Sequence, residues 1–181
     1  TTNQFFTLEL AYDKNNKWHS KLTGKFKNHS ITKGKLIMKF SNGNMEYNGE
    51  LRCKLFGSIL SAMPHGKGVK KILSSKSKSY SISKGFWIEA SQNGKGSCTY
   101  FKDKNFTNKL SEYKGSFKNN EHHGFGTFIN YLKNNKFKYV GNWKNNKMHG
   151  NGKSIDYEQG RTYEGDFKNG SINRNEGRKW R

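Results

Sequence analysis

Three histidines, His65, His123 and His149, each stand directly before a Gly-x-Gly, and imidazole is the usual protein ligand of zinc. A tetrahedral site needs its ligands gathered at one point. These histidines recur at one place in a repeating pattern, so they are strung along the molecule and read as structural hydrogen-bonding groups of hairpins. The glycines beside them, Gly66 and Gly68, Gly124 and Gly126, Gly150 and Gly152, with Gly94 and Gly96 after an asparagine, could cradle phosphate. Only Gly152 leads into Lys-Ser, at Lys153-Ser154, but the glycine a phosphate loop needs five places earlier is Lys147 and no helical pattern follows any of them, so they read as packing glycines. The 13 acidic residues are spread thinly, without paired-carboxylate spacing, a nucleophile elbow or a Ser-His-Asp order. The residues therefore point to no catalytic group, no cofactor and no metal.

What positions these residues is a repeat. Tyr139-Val140-Gly141-Asn142-Trp143-Lys144-Asn145-Asn146-Lys147-Met148-His149-Gly150-Asn151-Gly152 has the residue types and spacing of Tyr113 to Gly126, which starts 26 residues earlier. Tyr163-Glu164-Gly165-Asp166-Phe167 begins the pattern again. Numbered from its tyrosine, the unit carries Tyr, Gly and Trp or Phe at positions 1, 3 and 5 (Tyr113, Gly115 and Phe117; Tyr139, Gly141 and Trp143). A period of two is that of a β-strand with one packed face and one polar face. The Lys-Asn-Asn or Lys-Asn-Gly that follows supplies residues tolerant of the left-handed backbone of a hairpin reversal. Glycines at positions 12 and 14 weaken a strand, so their recurrence needs a cause. The economical one is a bare groove filled by an aromatic ring from position 1 or 5 of the same or a neighbouring hairpin. Stacked hairpins then bury a continuous row of rings that one hairpin could not bury alone.

These residues resemble the MORN (membrane occupation and recognition nexus) repeat, whose pattern is close to Tyr-x-Gly-x-Trp-x-x-Gly-x-x-His-Gly-x-Gly. About six degenerate copies run over residues 22–176, with a partial one at the start. The poorer copies are Leu22-Thr23-Gly24, Tyr47 with Gly49, Gly66 and Gly68, and Ser83-Lys84-Gly85-Phe86-Trp87 with Gly94 and Gly96. The resemblance implies an all-β, elongated and twisted antiparallel sheet of successive hairpins, acting as a scaffold or attachment module and not as an enzyme.

Residues 1–181 read as a single array with two departures. The third-position glycines at 24, 49, 85, 115, 141 and 165 are separated by 25, 36, 30, 26 and 24 residues, so length varies in the connections. Residues 54–64 are an apolar insertion, read as a bulge or loop. Its Leu55, Phe56, Ile59, Leu60 and Met63 either pack locally or form a partner surface. Residues 70–79 read as a basic, serine-rich loop whose Lys70, Lys71, Lys76 and Lys78 are candidates for contact with anionic lipid.

A net charge of +21, distributed as +12 over residues 1–100 and +9 over 101–181, favours acidic or phosphate-bearing partners; coding bias toward Lys and Asn would give the same balance. Cys53 and Cys98 read as reduced structural thiols. No apolar run approaches the ~20 residues of a membrane span, and the chain reads as cytoplasmic, with cytoskeletal or membrane-proximal association suggested by the resemblance. It begins at Thr1 without Met, which fits a fragment of a longer protein. The expected role is a non-catalytic scaffold that binds partner proteins, with self-association through exposed edge strands. The alternatives are a peripheral module on anionic phospholipid, and a basic nucleic-acid-binding protein. Nucleic acid is disfavoured because the rings that would stack on bases are used in packing.

Overall fold

The computed structural model describes residues 5–12, 18–27, 30–40, 43–56, 59–74 and 78–173. Among them there are thirteen strands and no helix. In chain order the strands are β1 (Phe5–Tyr12), β2 (Trp18–Lys27), β3 (Ser30–Phe40), β4 (Gly43–Phe56), β5 (Ile59–Ser74), β6 (Ser79–Ile88), β7 (Ser91–Phe101), β8 (Lys109–Lys118), β9 (Glu121–Asn130), β10 (Phe137–Lys144), β11 (Lys147–Asp156), β12 (Arg161–Lys168) and β13 (Ser171–Ile172). Each strand pairs antiparallel with its sequence neighbours, giving one sheet in the order β1 to β13.

Register explains the spacing of the glycines. Gly24 pairs with Gly34, Gly34 with Gly49, Gly49 with Gly68, Gly68 with Gly85 and Gly85 with Gly96. The row continues through Gly115, Gly126, Gly141, Gly152 and Gly165. An unbroken line of glycine thus crosses the sheet from β2 to β12. Because side chains alternate along a strand, residues two places away lie on the same face as this line. That ring face carries Leu22, Leu36, Tyr47, Tyr113, Tyr139 and Tyr163, all buried.

Positions 12 and 14 have different physical reasons, a division the repeat pattern does not reveal. A Cβ on Gly68, Gly126 or Gly152, all at position 14, would lie 2.6 Å from Cε2 of Tyr47, Tyr113 or Tyr139 respectively. The ring that fills the groove is therefore the position-1 ring of the same hairpin. At position 12 no ring intrudes: around Gly150 the nearest atoms are those of Asn142, 3.9 Å away, and at Gly66 the neighbour is the flexible side chain of Glu50. Its glycine is required by the backbone, with φ of +67° at Gly124 and +60° at Gly150, where each second strand bulges and its register shifts. The expectation of a ring over both glycines is corrected on this point.

Within the β8–β9 and β10–β11 repeats the reversals are two-residue turns with both central residues left-handed: Asn119 and Asn120 (φ 50° and 69°), and Asn145 and Asn146 (50° and 64°). Each turn also clasps the preceding repeat. The Asn120 N–H donates to Gln92 O at 2.9 Å, and that of Asn146 to His122 O at 3.1 Å. The side-chain oxygens of Asn120 and Asn146 accept in return from the N–H groups of Gln92 and His122, each at 2.8 Å. At the β6–β7 turn Ala90 makes the first bond, to Pro64 O at 2.9 Å. Pro64 has no N–H to offer, so no asparagine is needed there. Asn146→Gly keeps the turn and loses the returned bond, and thermal unfolding should show a cost of about 1 kcal/mol. Asn146→Ala adds left-handed strain and should cost about 2 kcal/mol in all.

The two departures are parts of strands. Residues 54–64 extend the β4–β5 hairpin, with Leu55 opposite Leu60 and Phe56 opposite Ile59. Their side chains lie outside the described residues except at Ala62, Met63 and Pro64. Residues 70–74 complete β5, so the expected 70–79 loop shrinks to the short β5–β6 connection, of which Lys78 is described.

Candidate functional site

The rings interlock between repeats as well as within them. Tyr113 and Tyr139 donate their hydroxyl protons to the carbonyls of Ser116 and Asn142 at 2.8 and 2.9 Å. Burial pushes both hydroxyls up to about 12, so they remain donors at neutral pH. The position-5 indoles reach backward: Trp87 Nε1 donates to Gly68 O and Trp143 Nε1 to Gly126 O, each at 3.3 Å. Trp143 meets Tyr139 and the previous repeat's Tyr113 edge-on at 5.2 and 5.3 Å. Position-5 rings therefore join hairpins, while position-1 rings seal them.

The ladder has one gap. Along the row of position-1 rings, Tyr47 is followed in register by Lys70 on β5, Ser83 on β6 and Cys98 on β7 before Tyr113 resumes it on β8. The gap divides the core in two. One cluster contains Leu22, Leu36, Tyr47, Leu51 and Trp87, and the other runs from Cys98 and Tyr113 to Phe167. Gln92 takes over the missing tyrosine's work: it is 3% exposed, its Nε2 lies 3.0 Å from where a Cβ on Gly85 would stand, and it donates to Lys84 O at 3.0 Å.

A groove of about 630 Å³ opens over this gap, bounded by Lys70, Ile72, Tyr100, Phe128 and Phe137, with no aspartate or glutamate in its lining. Lys70 Nζ sits 4.2 Å from the Trp87 ring centroid, and burial lowers its pKa below the ordinary lysine value. Ser83 Oγ donates to Cys98 Sγ at 3.2 Å. The arrangement offers one partly desolvated cation, hydroxyl groups and flat apolar walls, which suit binding.

His122, at position 10, is missed by a reading focused on position 11; the His122-His123 doublet is the signal that could have found it. It stacks on Tyr113 at 3.6 Å and 10° and meets Trp143 at 5.3 Å. Burial pulls its pKa from 6.5 down to about 4. The folded state thus resists the proton that the unfolded chain accepts below pH 6.5, and stability contributed by neutral His122 falls as pH drops from 6.5 towards 4. Melting temperatures across that window should decline more steeply for the wild type than for His122→Gln, which imports the amide of position 92.

His65, His123 and His149 stand on β5, β9 and β11, and among the described residues no three metal-ligating side chains converge. Nδ1 of His65 and of His123 is buried without a hydrogen-bond partner, so the expected hydrogen-bonding role is not seen at that atom. The candidate lipid lysines do not form one patch. Lys70 and Lys71 alternate to opposite faces of β5, Lys78 is exposed beyond its end, and Lys76 lies outside the described residues. Met63 borders an apolar recess with Met38 and Met45, while Leu55, Phe56, Ile59 and Leu60 have no described side chains. Neither Cys53 nor Cys98 is in a disulfide.

No curated protein matches the chain. The family model of the MORN repeat matches residues 113–130, 139–158 and 163–173, which span β8 to β13 and carry the tyrosine, glycine and aromatic positions described above. In these three stretches the chain is built of MORN repeats.

Proposed function

We propose that the protein is a non-catalytic scaffold that holds a segment of a partner protein in the ring-face groove. MORN repeats are found in scaffold and membrane-associated proteins, and their all-β fold is that of a non-enzymatic repeat family. The observation that carries the reading is the gap at Lys70, Ser83 and Cys98. A repeat array gains stability by continuing its rings, and here the β6–β7 repeat gives up its position-1 ring at Ser83, flanked in the row by Lys70 and Cys98, for an acid-free groove. The lysine would meet a carboxylate or backbone carbonyl of the segment, and Ile72, Tyr100 and Phe137 its apolar side chains.

Photo-crosslinking of the full chain in its native complex tests this. A benzophenone side chain replacing Tyr100, in the groove, should capture one partner polypeptide. The same group replacing Tyr157, which is exposed on the β11–β12 turn, should not. Ser83→Tyr with Gln92→His restores the ring pair found at Tyr113 and His122, and should abolish the crosslink while leaving the sheet folded. Equal capture from both positions would reject the groove.

A further inference from the structure

We propose that the sheet face opposite the packed rings binds single-stranded nucleic acid, with Phe86 as a stacking platform between lysines. The objection that every ring is used in packing holds for positions 1 and 5. It fails at position 4 of the β6–β7 repeat and position 13 of the β8–β9 repeat. Phe86 and Phe125 there are 41% and 56% exposed, and neither belongs to a core cluster. Strand alternation turns Phe86 away from the ring face that its neighbours Gly85 and Trp87 serve.

Around Phe86 lies a trough of about 520 Å³ bounded by Lys33, Lys67 and Lys95, with the backbone of Gly68 and Gly85 in its wall. The three ammonium groups have no carboxylate in ion-pair range among the described residues, and Lys84, also exposed, is two places before Phe86 on the same face of β6. Two acids lie nearby, and one of them, Glu50, stands directly opposite Lys33 in register without pairing with it. Glu46 pairs with Lys35 at 3.1 Å, and Glu50 is folded over Gly66, its Cδ 2.8 Å from where a Cβ would stand. Phe125 lies three strands further along the same face, ~14 Å away at ordinary strand spacing, within reach of a few extended nucleotides.

Cations along a groove with an exposed ring are the means by which a sheet holds an unpaired strand: phosphates meet the lysines and a base stacks on the ring. A duplex has no free base face for Phe86. A flat bilayer would have to desolvate the flanking lysines to reach a ring set in a recess.

The test is fluorescence anisotropy of the full chain with labelled oligo-dT of about 12 nucleotides at about 50 mM salt and above. Oligo-dT should bind more tightly than a duplex of the same length. Phe86→Ala should weaken it about tenfold or more, and Phe86→Tyr should preserve it. Replacing Lys33, Lys67 and Lys95 together with Gln should lower the slope of log K against log salt by about 2. Circular dichroism confirms that each variant is folded, as expected for side chains outside the core. Equal binding of duplex, no effect of Phe86→Ala, or Phe86-dependent binding of phosphatidylserine vesicles in place of oligo-dT would each overturn the proposal. Groove crosslinking reports on the other face, so either reading can fail alone.

Discussion

Gly152→Ala should destabilise the C-terminal hairpins by about 3 kcal/mol, far more than one methyl group in an ordinary strand. The added Cβ would sit 2.6 Å from Cε2 of Tyr139, a fully buried ring that cannot swing away without losing its bond to Asn142 O. The origin of the cost can be isolated. Leu22 and Leu36 hold the same row beside their own glycine pair and are 0% and 2% exposed, so leucine is tolerated there. In a Tyr139→Leu background Gly152→Ala should therefore cost at least about 1 kcal/mol less than in the wild type. Gly150→Ala, two residues earlier, should cost about 1–2 kcal/mol for its left-handed backbone, with no relief from Tyr139→Leu. If denaturant melts show Gly152→Ala to be no worse than Gly150→Ala, and indifferent to Tyr139, the ring-on-glycine packing is wrong.

Trp143→Ala should cost about 3–5 kcal/mol, because the indole joins two repeats and does not merely fill one. It meets Tyr113, His122 and Tyr139 within 5.3 Å and donates to Gly126 O across the boundary between hairpins. Trp143→Phe should cost about 1 kcal/mol, chiefly that hydrogen bond, since Phe117 and Phe167 occupy the same position in the adjoining repeats. Loss of the joint should also weaken cooperativity, because stability in an array is a sum of units and nearest-neighbour interfaces. Urea unfolding of Trp143→Ala followed by circular dichroism should broaden or split. A single transition with an unchanged midpoint would refute coupling through this ring.

Much of the fold was legible because the repeat encodes it locally. Tyr113, Gly115 and Phe117 alternate as a strand must, and Asn119-Asn120 have the backbone tolerance of a tight reversal. Their echoes at 139–146 give the register. The candidate site was less legible. The sequence shows Ser83 where a tyrosine is expected, but not that Gln92 folds over the vacated glycines, or that Lys70 stands in the same row on the strand before. Lys70 and Lys71 look like one basic pair in the chain and serve opposite faces. The 54–64 insertion, a bulge or loop on paper, continues the β4–β5 hairpin, because its two apolar stretches pair with each other, Leu55 with Leu60 and Phe56 with Ile59.

By itself the sequence determined the hairpins, their order and the face that packs, because each depends on residues within about a dozen positions of one another. Tertiary structure decided which glycine makes room for a ring and which one bends the backbone. It also decided where the ring row lapses and which phenylalanines stay in water. Those outcomes depend on what the neighbouring strand places opposite a residue, and that neighbour is selected by the register of the whole sheet.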